Sequence, residues 1–394
     1  MFEDVYGDHA FVTPDIVRWA RERLRLTTKR AAARLSVKPE RWAAWEKGET
    51  LPTMRQAQDL AESLHIPFGY LWLPKPPTEQ LLLPDLRTVA DESPREPSAE
   101  LLDLLNDVIW KQRWYQEYQQ QEEAEPVPFV GRYSPANSDP NTVAADIRDT
   151  FGINNEMRQE ATSQDSFLRF YTRRVEQAGI LILRSGIVGS NTHRPLDVKE
   201  FRGFAISDRL APLIFINGKD AKVAQIFTLT HEIAHLWFGE SGISNPDLRV
   251  ASARHGNGLE RLCNIVAAET LVPQMDLMHW WNDDIDAMQN VQDLAKRYKV
   301  SRPVILRRAH DLGKVASGLY SQLWRQLAAT TSTAASTGDG GDPYALIVAR
   351  NGRALTAALL ASLAEGKVSS IDAAQLLNVK ASSLDRLSAH VLGN

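Results

Sequence analysis

Two histidines and a glutamate break an otherwise apolar run at residues 227–239, FTLTHEIAHLWFG. Burying such groups without partners is expensive, so their presence there demands a reason. On an α-helix His231 and His235, four apart, project from one face a turn from each other. That is the spacing with which two imidazoles hold one metal ion. Glu232 lies about 100° round the same helix from His231, near enough to take a proton from a metal-activated water without being a ligand. The plainer reading is a core helix whose histidines are merely hydrogen-bonded. So short a pattern arises by chance often enough that the surrounding sequence must decide.

Zinc in a peptidase takes three protein ligands and a water, so a third ligand is expected downstream. The next helical pattern is GLERLCNIVAAETLVP, residues 258–273, where Glu260, Cys263, Asn264, Ala267, Ala268 and Leu271 recur at helical spacing and Pro273 ends the run. Glu260 is a short connection past His235 and can swing back onto the metal, with Glu269 as competitor. Without the upstream motif Glu260 would read as a solvated first-turn acid favoured by the helix dipole.

EFRGFAISDRLAPLIFINGKDAKVAQIFTLTHEIAHLWFGESG, followed by ERLCNIVAAETLVP, resembles the ImmA/IrrE family of metallopeptidases, bacterial and phage proteins with a gluzincin-like core. The likeness is dense from about residue 140 to 310, with strands, metal helix and second-ligand helix in the family's order. The resemblance implies that His231, His235 and Glu260 are the metal ligands and that Glu232 is the general base. It also implies Zn2+ as the ion, with Mn2+ as the alternative. A donor to the transition state is needed as well, and Arg254, His255 and Tyr298 are available, but no spacing singles one out.

The elements that must position these groups are legible around them. NTVAADIRDTFG and SFLRFYTRRVEQAG read as helices, then ILILRSGIV, FRGFAIS and APLIFING as short apolar strands bounded by Gly, Pro and Asn. A sheet beside the metal helix forms a cleft, and an edge strand can align a substrate chain by main-chain hydrogen bonds. APLIFING is the candidate edge, with an ordinary central strand as its equal rival.

Residues 13–75 read as short helices separated by turns, around a small core of Ala32, Val37, Trp45 and Leu60. The pattern, WEKGETLPT especially, resembles a Cro/repressor-type (XRE) helix-turn-helix domain. Residues 18–41 hold nine Lys or Arg against Glu22 and Glu40, a local charge of +7 suited to phosphates. Lys29, Arg30, Lys38 and Arg41 are the expected DNA contacts. Yet the helix that would enter the major groove offers Pro39, Glu40, Ala43 and Ala44, with only Arg41 equipped to read base edges. A second basic helical pair occupies 291–313, where packing with a solvated basic face is the default.

The fold class expected is α+β and multidomain, since 394 residues exceed one ordinary core. It comprises an all-α helix-turn-helix domain (1–75), a Pro-rich connector and long helix (76–139) and a gluzincin-like zinc metallopeptidase core with a small sheet (140–290). A helical, helix-turn-helix-like extension (291–327), a flexible linker (328–343) and a C-terminal helical module (344–394) follow. In the long helix Leu102, Leu105, Ile109 and Trp110 share one side. Acids outnumber bases by 49 to 45, so no global nucleic-acid signature exists and any basic surface is local. A lone Cys263 excludes an internal disulfide framework and fits a reducing cytosol. No run of about 18 apolar residues occurs, and the acidic MFEDVYGDHA lacks a signal-peptide core. The expectation is a cytoplasmic protein with no membrane partner.

The function expected is a zinc-dependent endopeptidase in bacterial or phage transcriptional regulation, cleaving a regulator or other partner protein. Its partners would be that substrate, duplex DNA along residues 18–55, and a second copy in a homodimer. The rival is a DNA-binding regulator or antitoxin that neutralises a cognate toxin, its metal site structural or vestigial. The intact Glu232 favours the enzyme, because a structural site needs no base.

Overall fold

The structure is a computed structural model that describes residues 9–86, 96–246, 258–331 and 342–392. The chain divides into two compact units, one of residues 1–81 and 96–103, the other of residues 82–95 and 104–394.

In the first unit four helices follow one another: α1 (Pro14–Arg23), α2 (Thr28–Arg34), α3 (Pro39–Lys47) and α4 (Met54–Leu64), closed by a 3-10 turn at Phe68–Trp72. Their ends are set locally. Thr27 caps α2, Gly48 ends α3 in the left-handed conformation, and Thr53 with Gln56 forms a capping box at the start of α4. Ile16, Val17, Ala32, Trp42, Trp45 and Leu60 fill the core. Glu46, buried on α3 itself, accepts from Trp42 Nε1 at 2.6 Å and from Arg21 Nε at 2.6 Å, so its charge is doubly satisfied.

Helix α5 (Ala99–Gln121) belongs to the first unit up to Asp103 and to the second from Leu104. Leu102, Leu105 and Ile109 are buried along it as expected, but Trp110 is exposed, because Lys111 is the residue that turns inward, paired with Asp107 at 2.7 Å. After it come α6 (Pro140–Phe151), α7 (Asn155–Glu160), α8 (Gln164–Gln177), β1 (Leu181–Ser185), β2 (Gly203–Ile206) and β3 (Leu213–Asn217). Then α9 (Lys222–Phe238), β4 (Gly242–Ser244), α10 (Gly258–Leu271), α11 (Gln274–Trp280), α12 (Ala287–Tyr298), α13 (Arg302–Asp311) and α14 (Ser317–Thr331) follow. The carboxy-terminal helices are α15 (Pro343–Asn351), α16 (Arg353–Ala364), α17 (Ser370–Leu376) and α18 (Leu384–Leu392).

The four strands form one sheet in the order β1-β3-β2-β4, with β1 parallel to β3 and the other pairs antiparallel. APLIFING therefore is not the edge: its strand, β3, lies between β1 and β2. All five of its residues are buried, and a strand covered on both faces reads as an unbroken apolar run. The last strand of the sheet beyond β2 is β4, whose three residues are too few to show a periodicity.

Residues 344–394, expected as a separate module, are gathered into the same unit as the sheet. Helix α15 packs along β1. Gly352 makes this approach feasible: its φ is +77° and a Cβ there would stand 3.1 Å from the carbonyl oxygen of Ile182. Asn378 adds a bond from its Nδ2 to Asp107 at 2.9 Å. Among the described residues no single helix is long and apolar enough to cross a membrane, and the apolar pair α15 and α16 is bent by 101°.

Candidate metal centre

Helix α9 is buried at every residue from Gln225 to Phe238, the pattern of a core helix rather than a surface one. It lies against β2 and β3 on one side and α8 and α10 on others. The contact with β2 requires Gly203. A Cβ there would stand 2.7 Å from Thr228 Cγ2 and 2.9 Å from the Phe215 carbonyl. At the other end the carbonyls of Leu236 and Trp237 accept from the N–H groups of Gly131 and Tyr133 at 2.9 and 3.1 Å. Residues 129–133 thus add N–H donors at the helix end, where the Leu236 carbonyl also receives the Gly239 N–H, and the core extends upstream of the boundary expected at 140. Trp237 stacks on Phe129 at 4.3 Å and donates to Asp146 at 2.7 Å, fixing the helix rotation that aims the histidines.

The two histidines turn their Nε2 atoms toward one point, 3.1 Å apart. Glu260, from the first turn of α10, brings Oε2 to 3.2 Å from His231 Nε2 and Oε1 to 3.0 Å from His235 Nε2. Donors about 2.0–2.1 Å from a tetrahedral zinc ion stand about 3.3 Å from one another. The triangle is therefore the right size for one such ion, and two imidazoles with a carboxylate are a suitable donor set. All three residues are buried, and their candidate ligand atoms lie within 4.8 Å of one another. Glu269, the competitor for third ligand, is elsewhere: it forms an ion pair with Arg308 and accepts from the N–H of Gln274 at 3.2 Å.

The electrostatics of the ligand triangle in the metal-free protein follow from burial and proximity. Burial alone would raise the Glu260 carboxyl, but the two imidazoles, His231 foremost, hold it at about 2. Burial opposes charge on His231, yet the adjoining Glu260 outweighs it and raises its pKa. His235 is lowered, mainly by burial. Asn264, one turn beyond Glu260, also favours the charged His231, and Asn264 Oδ1 and His231 Nδ1 are both buried without a hydrogen-bond partner among the described residues. A side-chain amide oxygen in that position is of the kind that orients a ligand imidazole. Its spacing from Glu260 was visible in the sequence, but nothing there tied it to His231.

Glu232 faces the other way, toward the sheet. It is fully buried, which pushes its carboxyl up to about 8, and its Oε1 accepts a short hydrogen bond from the Ser244 hydroxyl on β4. Its Oε2 has no protein partner. Ser244 carried no signal in the sequence. The outer edge of β4 is itself occupied: Ile243 donates to the carbonyl of Pro84 at 2.9 Å and accepts from the N–H of Leu86 at 3.0 Å. Leu86 packs so closely on Gly242 that a side chain at 242 would collide with it.

The remaining candidates are distributed as follows. Tyr298 is buried under the Arg158 guanidinium, 5.3 Å from its ring, and burial raises its phenol to about 12. Its hydroxyl makes no hydrogen bond to the metal triangle among the described residues. Arg254 and His255 lie outside the described residues. Cys263 is buried and its thiol is raised well above its ordinary range by burial, the condition of a packing residue rather than a nucleophile. In the first unit the local charge is smaller than the residue count suggests. Arg21 is tied to Glu46, Arg23 to Glu79 and Asp103, and Arg34 to the Ser63 carbonyl. Lys29, Arg30, Lys38 and Arg41 are exposed, with no ion pair among the described residues. In the 291–313 pair, Arg297 covers the Trp280 ring at 3.6 Å, and Arg307 and Arg308 are held by Asp311 and Glu269, so half of its basic charge is engaged internally.

A helix bearing two histidines one turn apart, completed by a glutamate from the next helix beside a small sheet, is the ligand arrangement of a metallopeptidase. Residues 175–310, which hold His231, His235 and Glu260, match the model of the peptidase M78 family, described as the IrrE N-terminal-like domain. The match covers less than half of the chain. No curated protein matches it.

Proposed function

We propose that the protein is a zinc-dependent endopeptidase coupled to a DNA-binding domain, acting on a regulator or other partner protein. The observation that carries this is the division of labour on α9: His231 and His235 converge on Glu260, while Glu232 is kept out of that triangle with one carboxylate oxygen anchored and the other available. When bound, zinc supplies a Lewis acid that polarises the scissile carbonyl and acidifies water. Glu232 takes a proton at Oε2 and returns it to the leaving amine, while Ser244 fixes Oε1 so that the carboxylate cannot rotate away. The substrate chain aligns on β4, the strand that carries Ser244, which requires Pro84–Leu86 to leave that edge.

A second reading, a DNA-binding regulator or antitoxin with a structural metal, draws on the exposed Lys29, Arg30, Lys38 and Arg41. Among the described residues three protein donors converge rather than four, which favours the enzyme over it. The test is co-expression of the native protein and its Glu232→Gln form with the products of neighbouring genes, followed by intact masses of all that co-purifies. A partner, or this chain, cut at one bond only with the native form supports the peptidase. The same uncut partner held by both forms supports the regulator.

A further inference from the structure

Apart from the metal triangle, the second unit contains a cavity of about 590 Å³ where α8, β1 and β3 meet α15, α16 and α18. Its chemistry is lopsided. Arg169, Arg173, Arg184 and Arg353 line it against one carboxylate, Glu176. That carboxylate already accepts the backbone N–H of Arg353 at 3.1 Å. Arg169 meets Asp165 at 3.6 Å on an exposed surface, a pairing that does little to neutralise it. Arg173 and Arg184 have no ion pair among the described residues, and burial pulls the Arg184 guanidinium below its ordinary range. Arg184 is partly buried and the other three arginines are exposed around the opening, so like charges gather about one half-enclosed space that an anion would neutralise. The rest of the lining is mostly apolar, Ile182, Ile216, Ala345, Val348 and Ala349, with Thr172 and His390.

We propose that this cavity binds a phosphorylated small molecule of the nucleotide class, its phosphates on the arginines and its flat or apolar body against the Ile182 and Val348 side. Guanidinium forks match phosphate oxygens two at a time, and several of them together select more than one negative charge. The volume lies within the range of small-ligand pockets. Arg173 and Arg184 come from the core and Arg353 from the carboxy-terminal helices, so an occupant clamps α16 onto α8 and β1. Binding is therefore expected to raise the melting temperature of the full chain. This inference does not depend on the peptidase reading.

The experiment is calorimetric titration of the full-length protein with ATP, GTP, pyrophosphate and adenosine. The expected result is saturable binding of a nucleoside triphosphate, weaker binding of pyrophosphate and none of adenosine. Removing two charge-assisted contacts in Arg184→Gln/Arg353→Gln should weaken it by about tenfold or more. Arg173→Glu, on the exposed rim, tests the same point without disturbing the core, and should weaken binding without lowering the unliganded melting temperature. The proposal is overturned if neither triphosphate nor pyrophosphate saturates, if adenosine binds as well as ATP, or if both variants bind like the native chain.

Discussion

At the scale of single residues, the division between ligand and base decides the chemistry. His231, His235 and Glu232 were legible because a helix of period 3.6 converts their spacing into direction, and Glu260 because a short connection limits where the third donor can come from. Asn264 and Ser244 were not legible, since their roles depend on which helix and which strand end up beside α9. Loss of the base, in Glu232→Gln, should reduce turnover by roughly 100- to 10,000-fold with metal content unchanged, as read from cleavage rates of the zinc-loaded protein. The same residue makes a prediction about pH. In chelator-stripped protein the buried Glu232 carboxyl titrates at about 8 against an ordinary 4.5. Between those values the folded chain retains a proton that the unfolded chain has released, so stability falls as pH rises, on the order of 1 kcal/mol per pH unit. Glutamine has no such proton. The melting temperature of stripped Glu232→Gln should therefore exceed that of the stripped native protein by more at pH 8 than at pH 5, and an equal gap at both would refute the assignment of that burial penalty to Glu232.

At the scale of elements, the sheet and α9 are held together by close backbone approach at Gly203, with the Ser244–Glu232 hydrogen bond as a polar contact between them. Gly203→Ala inserts a Cβ against Thr228 and the Phe215 carbonyl, and should destabilise the fold by about 1–3 kcal/mol in chemical denaturation, with some loss of metal affinity as α9 is displaced. The sequence announced three of the four strands from their apolar runs, but not their order. APLIFING looked equally suited to centre and edge because apolar runs report burial, whereas edge position is decided by which neighbour pairs on each side. The true edge, β4, is covered by Pro84–Leu86 from a stretch whose prolines mark it as a connector. Leu86→Asp should loosen that cover. If β4 receives the substrate, kcat/KM for the cleaved partner rises in this variant; an unchanged or lower value would show that the connector is not in the substrate's way.

At the scale of the whole molecule, the two-unit division follows from the composition of the chain, with short capped helices to residue 72 and then a connector. The attachment of the carboxy-terminal helices to the sheet was hidden, because it rests on Gly352 beside β1 and on Asn378 reaching Asp107, contacts between residues far apart in sequence. The proposed DNA contact is an electrostatic one. Changing Lys29, Arg30, Lys38 and Arg41 together to Gln should flatten the dependence of log affinity on log salt by about three to four, as measured by fluorescence anisotropy on duplex DNA. An unaltered slope would place any DNA contact elsewhere. The central claim is that one metal is held by His231, His235 and Glu260 while Glu232 stands aside. Its most direct test is the zinc content per chain, by plasma mass spectrometry, of the native protein and its Glu232→Gln, Glu260→Gln and Glu269→Gln forms. The account predicts one zinc in the native, Glu232→Gln and Glu269→Gln proteins and a marked loss only in Glu260→Gln. Full zinc in Glu260→Gln, or loss on changing Glu232 or Glu269, would contradict it.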